Sequence, residues 1–206
     1  MKPFDFIQPT TIDAAILALA EHNPNVRILN GGTDYLVELK HVAQSPGVVV
    51  DVSRLQDLRG IEVIDAGLRI GAGTTHTEIM ADPLVKEYVP AMIDAAHTVG
   101  AVQTRNLGTL GGNLVTCVPS MDSGPTLLAL DARVIILGSK GTRQSSLTDF
   151  FIGPRRTSLE PDELLLEIII PKENLGRIFE RFYTYRPEEK IFGNNITQLK
   201  FFGFDY

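Results

Sequence analysis

Leu29-Asn30-Gly31-Gly32-Thr33-Asp34 sets two glycines between a short apolar run and a segment that reads as the start of a helix. Glycine lets the main chain take φ > 0 and lets another group approach to contact distance. The helix that follows offers N–H groups with no intrahelical partner and the positive end of its dipole. Together these make a place for an anion, most naturally a phosphate. Two glycines after a strand also serve as a plain turn, so the loop by itself decides little. It lacks the lysine of a Walker A motif and the G-x-G-x-x-G spacing of a dinucleotide fingerprint.

Outward from that loop, Val26-Arg27-Ile28-Leu29 reads as a strand, Asp34 to Lys40 as a short helix and Val48-Val49-Val50-Asp51-Val52 as a second strand. This is a βαβ-like unit whose crossover is shorter than that of a Rossmann unit. Upstream, Ile12, Ile16 and Leu19 recur at helical spacing, with Thr10 or Thr11 as the cap and Asn23-Pro24-Asn25 as the stop. Downstream, Gly60 to Ile64 and Leu68 to Ala72 flank Asp65-Ala66-Gly67 as a hairpin. A helix is expected after Asp82-Pro83, running through Ala91 to Ala96, and an ordered loop from Gln103 to Asn113. Pro125 to Leu130 reads as helix, Arg133 to Leu137 as strand, and Leu164 to Ile170, closed by Pro171, as a buried strand. The mixture predicts an α+β fold with a small lobe over residues 1–55, a larger one over 56–180 and a divergent tail over 181–206.

A second glycine segment, Arg105-Asn106-Leu107-Gly108-Thr109-Leu110-Gly111-Gly112-Asn113-Leu114, repeats the chemistry of the first with side-chain donors on either side. Two phosphates joined by one oxygen need donors from more than one direction, and two glycine loops supply them without a lysine. Such loops also turn tight corners, and that reading stays open beside the first.

The order of these blocks carries a resemblance. Asn30-Gly31-Gly32-Thr33-Asp34-Tyr35-Leu36, Ile70-Gly71-Ala72-Gly73-Thr74-Thr75 and the second glycine segment are followed by Pro119 to Pro125, Asp149 to Thr157 and Pro161 to Leu165. In that order they resemble the FAD-binding subunit of molybdenum hydroxylases, a group that includes xanthine dehydrogenase and carbon monoxide dehydrogenase. The resemblance implies the two-lobed FAD-binding fold of the vanillyl-alcohol oxidase or PCMH type, with a small N-terminal βαβ lobe and a larger α+β lobe. It implies that Leu29, Asn30, Gly31, Gly32, Thr33, Asp34, Tyr35 and Leu36 wrap the FAD pyrophosphate. Thr109, Gly111, Gly112 and Asn113 would close on it from the second lobe. Asp122 would meet the adenosine end, and Val99 and Leu165 would give the cofactor an apolar lining. Asp34 beside a diphosphate is repelled, so its side chain is expected to turn away and cap the local helix.

The same resemblance implies a role: an oxidoreductase subunit that relays electrons. A molybdenum-cofactor large subunit oxidises the substrate, a [2Fe-2S] small subunit passes the electrons to FAD, and FAD hands them to an acceptor such as NAD. No residue of this chain need act as acid or base. The competing reading is a truncated, non-catalytic remnant or assembly partner with weak or no FAD binding, because relatives continue into a further domain whereas the match here fades after Phe182. Tyr183 stands where relatives such as xanthine dehydrogenase carry a lysine near the flavin. A stand-alone oxidase of the vanillyl-alcohol type would need a substrate domain for which there is no room.

Composition narrows the choice further. The net charge is −6 with no Lys/Arg-rich segment, which disfavours a nucleic-acid partner. No apolar run reaches the roughly 18 residues that span a bilayer, and no leader-like stretch opens the chain, so a cytoplasmic location is expected. The single cysteine, Cys117, excludes an internal disulfide and any cysteine-ligated cluster built by this chain alone. Cys117 itself reads as a small buried hydrophobe. His76 and His97 show no metal-ligand spacing and read as structural or exposed, and Arg155-Arg156 as surface or a subunit contact.

Overall fold

The computed structural model describes residues 3–41 and 46–176. Its N-terminal sheet is parallel, formed by β1 (Asp5–Ile7), β2 (Val26–Leu29) and β3 (Val48–Asp51) in the order β1-β3-β2. The central strand reads Val48-Val49-Val50-Asp51 and is buried along its length, the pattern of a strand covered on both faces. Helix α1 (Ile12–His22) packs Ala15, Ile16, Ala18 and Leu19 inward. Its cap is Thr11, whose hydroxyl accepts from the Ala14 N–H at 3.1 Å. Helix α2 (Tyr35–Leu39) is the short crossover from β2 to β3 that the sequence predicts.

The second sheet is antiparallel, ordered β4-β5-β10-β6-β7. The hairpin of β4 (Ile61–Ile64) and β5 (Gly67–Gly71) forms as expected, with Ile64 opposite Gly67. Six helices follow: α3 (His76–Ala81), α4 (Pro83–Tyr88), α5 (Ala91–Thr98), α6 (Val102–Leu107), α7 (Leu110–Thr116) and α8 (Ser123–Ala129). The chain returns through β6 (Arg133–Gly138), β7 (Gly141–Ser146), α9 (Leu147–Phe150) and a small ladder of β8 (Phe151–Gly153) with β9 (Arg156–Thr157). After them β10 (Leu164–Pro171) inserts between β5 and β6. A central position between two neighbours accords with the reading of Leu164 to Ile170 as a buried strand, with Glu167 as its one charged residue.

Two local expectations are corrected. The single helix after Asp82-Pro83 is two, α4 and α5. Asp82 caps the first by accepting from Leu84 N at 2.8 Å and Val85 N at 3.2 Å. Pro90, which has no N–H to donate, marks the break before the second. The loop expected from Gln103 to Asn113 is α6 and the start of α7. Thr109, extended, caps α7 by accepting from Gly112 N at 3.1 Å, so Gly111 and Gly112 occupy a first helical turn. Buried Leu110 and Leu114, four apart, hold that helix to the core.

The larger core lies where the second sheet meets the helices, and it contains Leu68, Ile70, Ile79, Met92, Leu110, Leu127, Ile136, Phe150 and Ile168. The smaller core joins α1 to the parallel sheet through Ala15, Leu19, Val48 and Val50. It also takes in Leu58 and Leu164, from beyond residue 55. Those two leucines tie the regions together next to the cleft described below. The expectations for 181–206, with Phe182 and Tyr183, lie outside the described residues.

Candidate cofactor site

A cleft of about 360 Å³ lies where the first glycine loop, the α6–α7 corner, the segment up to Asp122 and the start of β10 converge. Asn30, Gly31, Gly32, Thr33, Asp34 and Tyr35 line it from one side. Thr109, Gly111, Gly112, Asn113 and Asp122 line it from others, and Val99 and Leu165 add apolar wall. Leu29 and Leu36 do not reach it. A Cβ built on Gly32, whose φ is +70°, would sit 2.9 Å from Leu36 Cδ1 and 3.0 Å from Leu29 Cδ1. The two leucines therefore pack behind the loop.

The first loop presses directly on the corner of the second region. A Cβ on Gly31 would lie 1.9 Å from the Leu107 carbonyl oxygen and 3.0 Å from Gly108 Cα. No side chain fits there, so glycine is required by close approach of two backbones. The N–H groups from Gly31 to Tyr35 have no acceptor among the described residues, while the Leu36 N–H closes onto Gly32 O at 3.1 Å. Five consecutive main-chain donors without partners among the described residues, on a loop that lines the cleft, offer an anion cradle. The Asp34 side chain makes no cap hydrogen bond, which corrects the expected cap. Its backbone is already helical (φ −96°, ψ −51°) rather than extended, so its carboxylate is not aimed at the amides ahead. The Tyr35 hydroxyl is buried with no hydrogen-bond partner among the described residues, and burial pushes its pKa up.

The second glycine segment behaves differently. Leu110 N–H donates to Thr74 O at 2.9 Å and Gly111 N–H to Ala72 O at 2.8 Å. Gly112 N–H is held by Thr109 Oγ1 and Asn113 N–H by Thr109 O at 3.0 Å. Main-chain donation from the second loop is thus narrowed: the N–H groups of Leu110, Gly111, Gly112 and Asn113 are spent within the protein, and only that of Thr109 among these five has no acceptor among the described residues. A Cβ on Gly111 would lie 2.6 Å from Ala72 Cβ, so that glycine lets α7 sit on the end of β5. What this segment offers a ligand is that one N–H and side-chain chemistry. Asn113 Oδ1 accepts from Ser123 Oγ at 2.5 Å, which leaves the Asn113 amide NH2 free to donate.

His76, read from the sequence as structural or exposed, also lines the cleft. It is 1% exposed, and its Nδ1 is buried without a hydrogen-bond partner among the described residues. Its main-chain N–H donates to Gly108 O at 3.1 Å. Around Gly108 the space is shared: a Cβ there would be 3.4 Å from His76 Cδ2 and 3.5 Å from Thr33 Oγ1. Burial lowers the imidazole pKa from 6.5; the Asp122 carboxylate opposes that shift and the Arg105 guanidinium adds to it. A usable signal was present in Thr75-His76-Thr77-Glu78, a capping box that sets His76 at the first helical position after a strand. Cys117 is buried, and burial raises its thiol pKa, in keeping with a packing role.

These residues fit a dinucleotide: unpartnered amides for a diphosphate, a fixed carboxamide, a carboxylate and an apolar wall. Comparison with known proteins agrees. The family profile described as FAD binding domain in molybdopterin dehydrogenase matches residues 2–173. The nicotinate dehydrogenase FAD-subunit of Eubacterium barkeri is 40% identical, with 84% of this chain and 60% of that protein covered. The putative xanthine dehydrogenase FAD-binding subunit XdhB of Escherichia coli (strain K12) is 38% identical, with 84% and 61% covered. The crystal structure of quinoline 2-oxidoreductase from Pseudomonas putida 86 superposes with a TM-score of 0.80 at 32% identity, covering 84% of this chain and 61% of that one. The chain therefore spans about three fifths of the length of these relatives. The α+β architecture is the two-lobed PCMH-type fold, and the chain belongs to the FAD-binding domains of the molybdopterin dehydrogenases, with FAD as its cofactor.

Proposed function

We propose that this chain is the electron-transferring FAD subunit of a molybdenum hydroxylase complex. In this reading a molybdenum-cofactor large subunit oxidises the substrate, and a [2Fe-2S] small subunit collects the electrons. This chain would hold the FAD through which they reach an acceptor such as NAD, in a cytoplasmic setting. The observation that carries the reading is the run of N–H groups from Gly31 to Tyr35 without acceptors among the described residues, on a cleft-lining loop whose Gly31 abuts Leu107. Two named relatives are themselves FAD subunits of dehydrogenases. The single cysteine of this sequence cannot ligate a cluster by itself, which supports a separate [2Fe-2S] subunit in this reading.

When bound, the isoalloxazine supplies the redox chemistry. The protein's own residues hold and shape. The amides from Gly31 to Tyr35 take the diphosphate, and Leu29 and Leu36 brace that loop from behind. Asn113, oriented by Ser123, donates its amide to the cofactor from the opposite wall. Asp122 accepts from the hydroxyl or amine donors of the adenosine end. Val99 and Leu165 exclude water, while Thr109, Gly111 and Gly112 keep that wall thin enough to come close. No proton need move at any of these groups.

Purification from native cells tests the proposal. The expected outcome is a flavin spectrum in the visible range, and co-purification with subunits that contain molybdenum and iron. A chain that carries FAD but never associates with such subunits would refute the relay role. A chain that takes up no FAD would point to the non-catalytic remnant instead.

A further inference from the structure

Helix α6 is six residues long and buries none of them. A helix that short is unstable by itself, and packing of an apolar face is the usual remedy. Here that remedy is missing: Val102 and Leu107 are 59% and 60% exposed. Yet the C-terminal end of α6 is where the first glycine loop comes to rest, Gly31 against the Leu107 carbonyl. Polar bonds hold the helix instead. Thr77 Oγ1 donates to Asn106 Oδ1 at 2.6 Å, and the His76 N–H donates to Gly108 O at 3.1 Å. The third anchor is Arg105. Its Nη1 donates to the carbonyls of His97 and Val99, each at 3.0 Å, and of Gly100 at 3.3 Å. A cation suits that place, because these carbonyls close the C-terminal end of α5. Arg105 forms no ion pair among the described residues.

We propose that Arg105 is a positioning residue for the cofactor: by tying α6 to the end of α5 it sets both the Val99–Gly100 wall and the Leu107 stop that holds the first glycine loop. This rests on the FAD reading of the cleft and deepens it. Arg105 does not itself line the cleft, whereas Val99, Gly100, Thr104 and Gly108 around it do. The turn it gathers is tight: Gly100 has φ +44°, and a Cβ there would lie 3.1 Å from Thr104 Cβ. Helix α5 is secured separately, through buried Met92, Ala95 and Ala96. Loss of the guanidinium therefore frees α6 and the turn, and leaves the core as it was.

The test uses the full chain freed of flavin. FAD is titrated and the bound fraction read by flavin fluorescence, for the wild type, Arg105→Met and Arg105→Lys. Methionine keeps an apolar stem without charge or donors. Lysine keeps a cation whose one nitrogen carries three hydrogens, enough for three carbonyls. Arg105→Met is expected to weaken FAD about 10-fold to 100-fold, the range for hydrogen bonds to a charged group, with Arg105→Lys recovering most of the loss. The urea midpoint of flavin-free Arg105→Met should stay at the wild-type value. Equal FAD affinity of Arg105→Met and wild type overturns the proposal and leaves the cofactor reading intact. Equal loss in both variants, or a loss accompanied by a fall in the urea midpoint, also overturns it, because general packing then explains the effect. Failure of the wild type to bind FAD removes the cofactor reading itself, and this positioning with it. Should the variants not fold, amide hydrogen exchange of the wild type decides. The N–H groups of Arg105 and Gly108 bond to Ala101 O at 2.9 Å and Thr104 O at 2.6 Å. Coupling between two sites is reciprocal, so bound FAD should slow their exchange; unchanged exchange refutes the proposal.

Discussion

In the first glycine loop the N–H groups from Gly31 to Tyr35 have no acceptor among the described residues, whereas in the second the N–H groups of Leu110, Gly111, Gly112 and Asn113 all bond within the protein. Both stretches carry Gly-Gly, and both contain a glycine whose missing Cβ permits a backbone contact. Close approach therefore does not distinguish them; the fate of the amides does. The first loop follows a strand and leads into a helix of five residues, which closes few hydrogen bonds of its own. The second begins a helix capped by Thr109 and anchored in the core by Leu110 and Leu114. One loop is built to receive, and the other is built to support.

The largest expected effect comes from breaking the contact between them. Gly31→Ala drives a methyl into the Leu107 carbonyl, so the loop must withdraw from α6. Flavin content of the purified protein should fall to near zero. The melting temperature of the flavin-free form should drop by the equivalent of about 2 to 4 kcal/mol, in the range of severe steric lesions. Retained flavin at wild-type affinity would show that the first loop is not the receiving one. Gly111→Ala sharpens the contrast, since its methyl meets Ala72 instead of a ligand. It should cost about 1 to 3 kcal/mol in denaturant unfolding of the flavin-free protein, the usual penalty of overpacking. Any loss of FAD affinity should follow from that loss of stability.

Thr109→Val removes the α7 cap while keeping shape. A loss of about 1 kcal/mol is expected in the same unfolding assay, with the freed Gly112 N–H now exposed to the cleft. If FAD binds more tightly to this variant, the second segment has been converted toward the first, which would support the contrast directly. The smallest effect concerns pH. Burial lowers the His76 pKa below 6.5, so below that value the unfolded chain takes up a proton that the folded chain resists. Stability from this group is full above 6.5 and declines as the pH falls from there toward the lower folded pKa. His76→Asn should flatten that part of the curve, measured by urea unfolding between pH 7 and 5. An unchanged slope would mean the imidazole is not desolvated.

Much of the architecture was legible because its signals are local. The apolar run of β3, the Asp65-Ala66-Gly67 hairpin and the closing strand before Pro171 each announce themselves through burial pattern and turn chemistry. The Gln103 to Asn113 segment misled because glycine and asparagine composition reads as loop, while the cap at Thr109 and the buried Leu110 and Leu114 override it. His76 was passed over for a related reason. A lone histidine has no spacing partner in the sequence, and its significance lies in an unpaired atom that burial alone reveals.

From residue order alone came the fold class, the two glycine segments and the resemblance to a flavin-binding family. Those properties depend on which residues are neighbours along the chain. Tertiary structure decided that Gly31 meets Leu107, that Ser123 holds Asn113, and that Leu58 and Leu164 complete the smaller core. It also decided which amides stay free. A hydrogen-bond donor carries no mark in the sequence of whether it will be satisfied, because its acceptor is supplied by whatever the fold brings alongside.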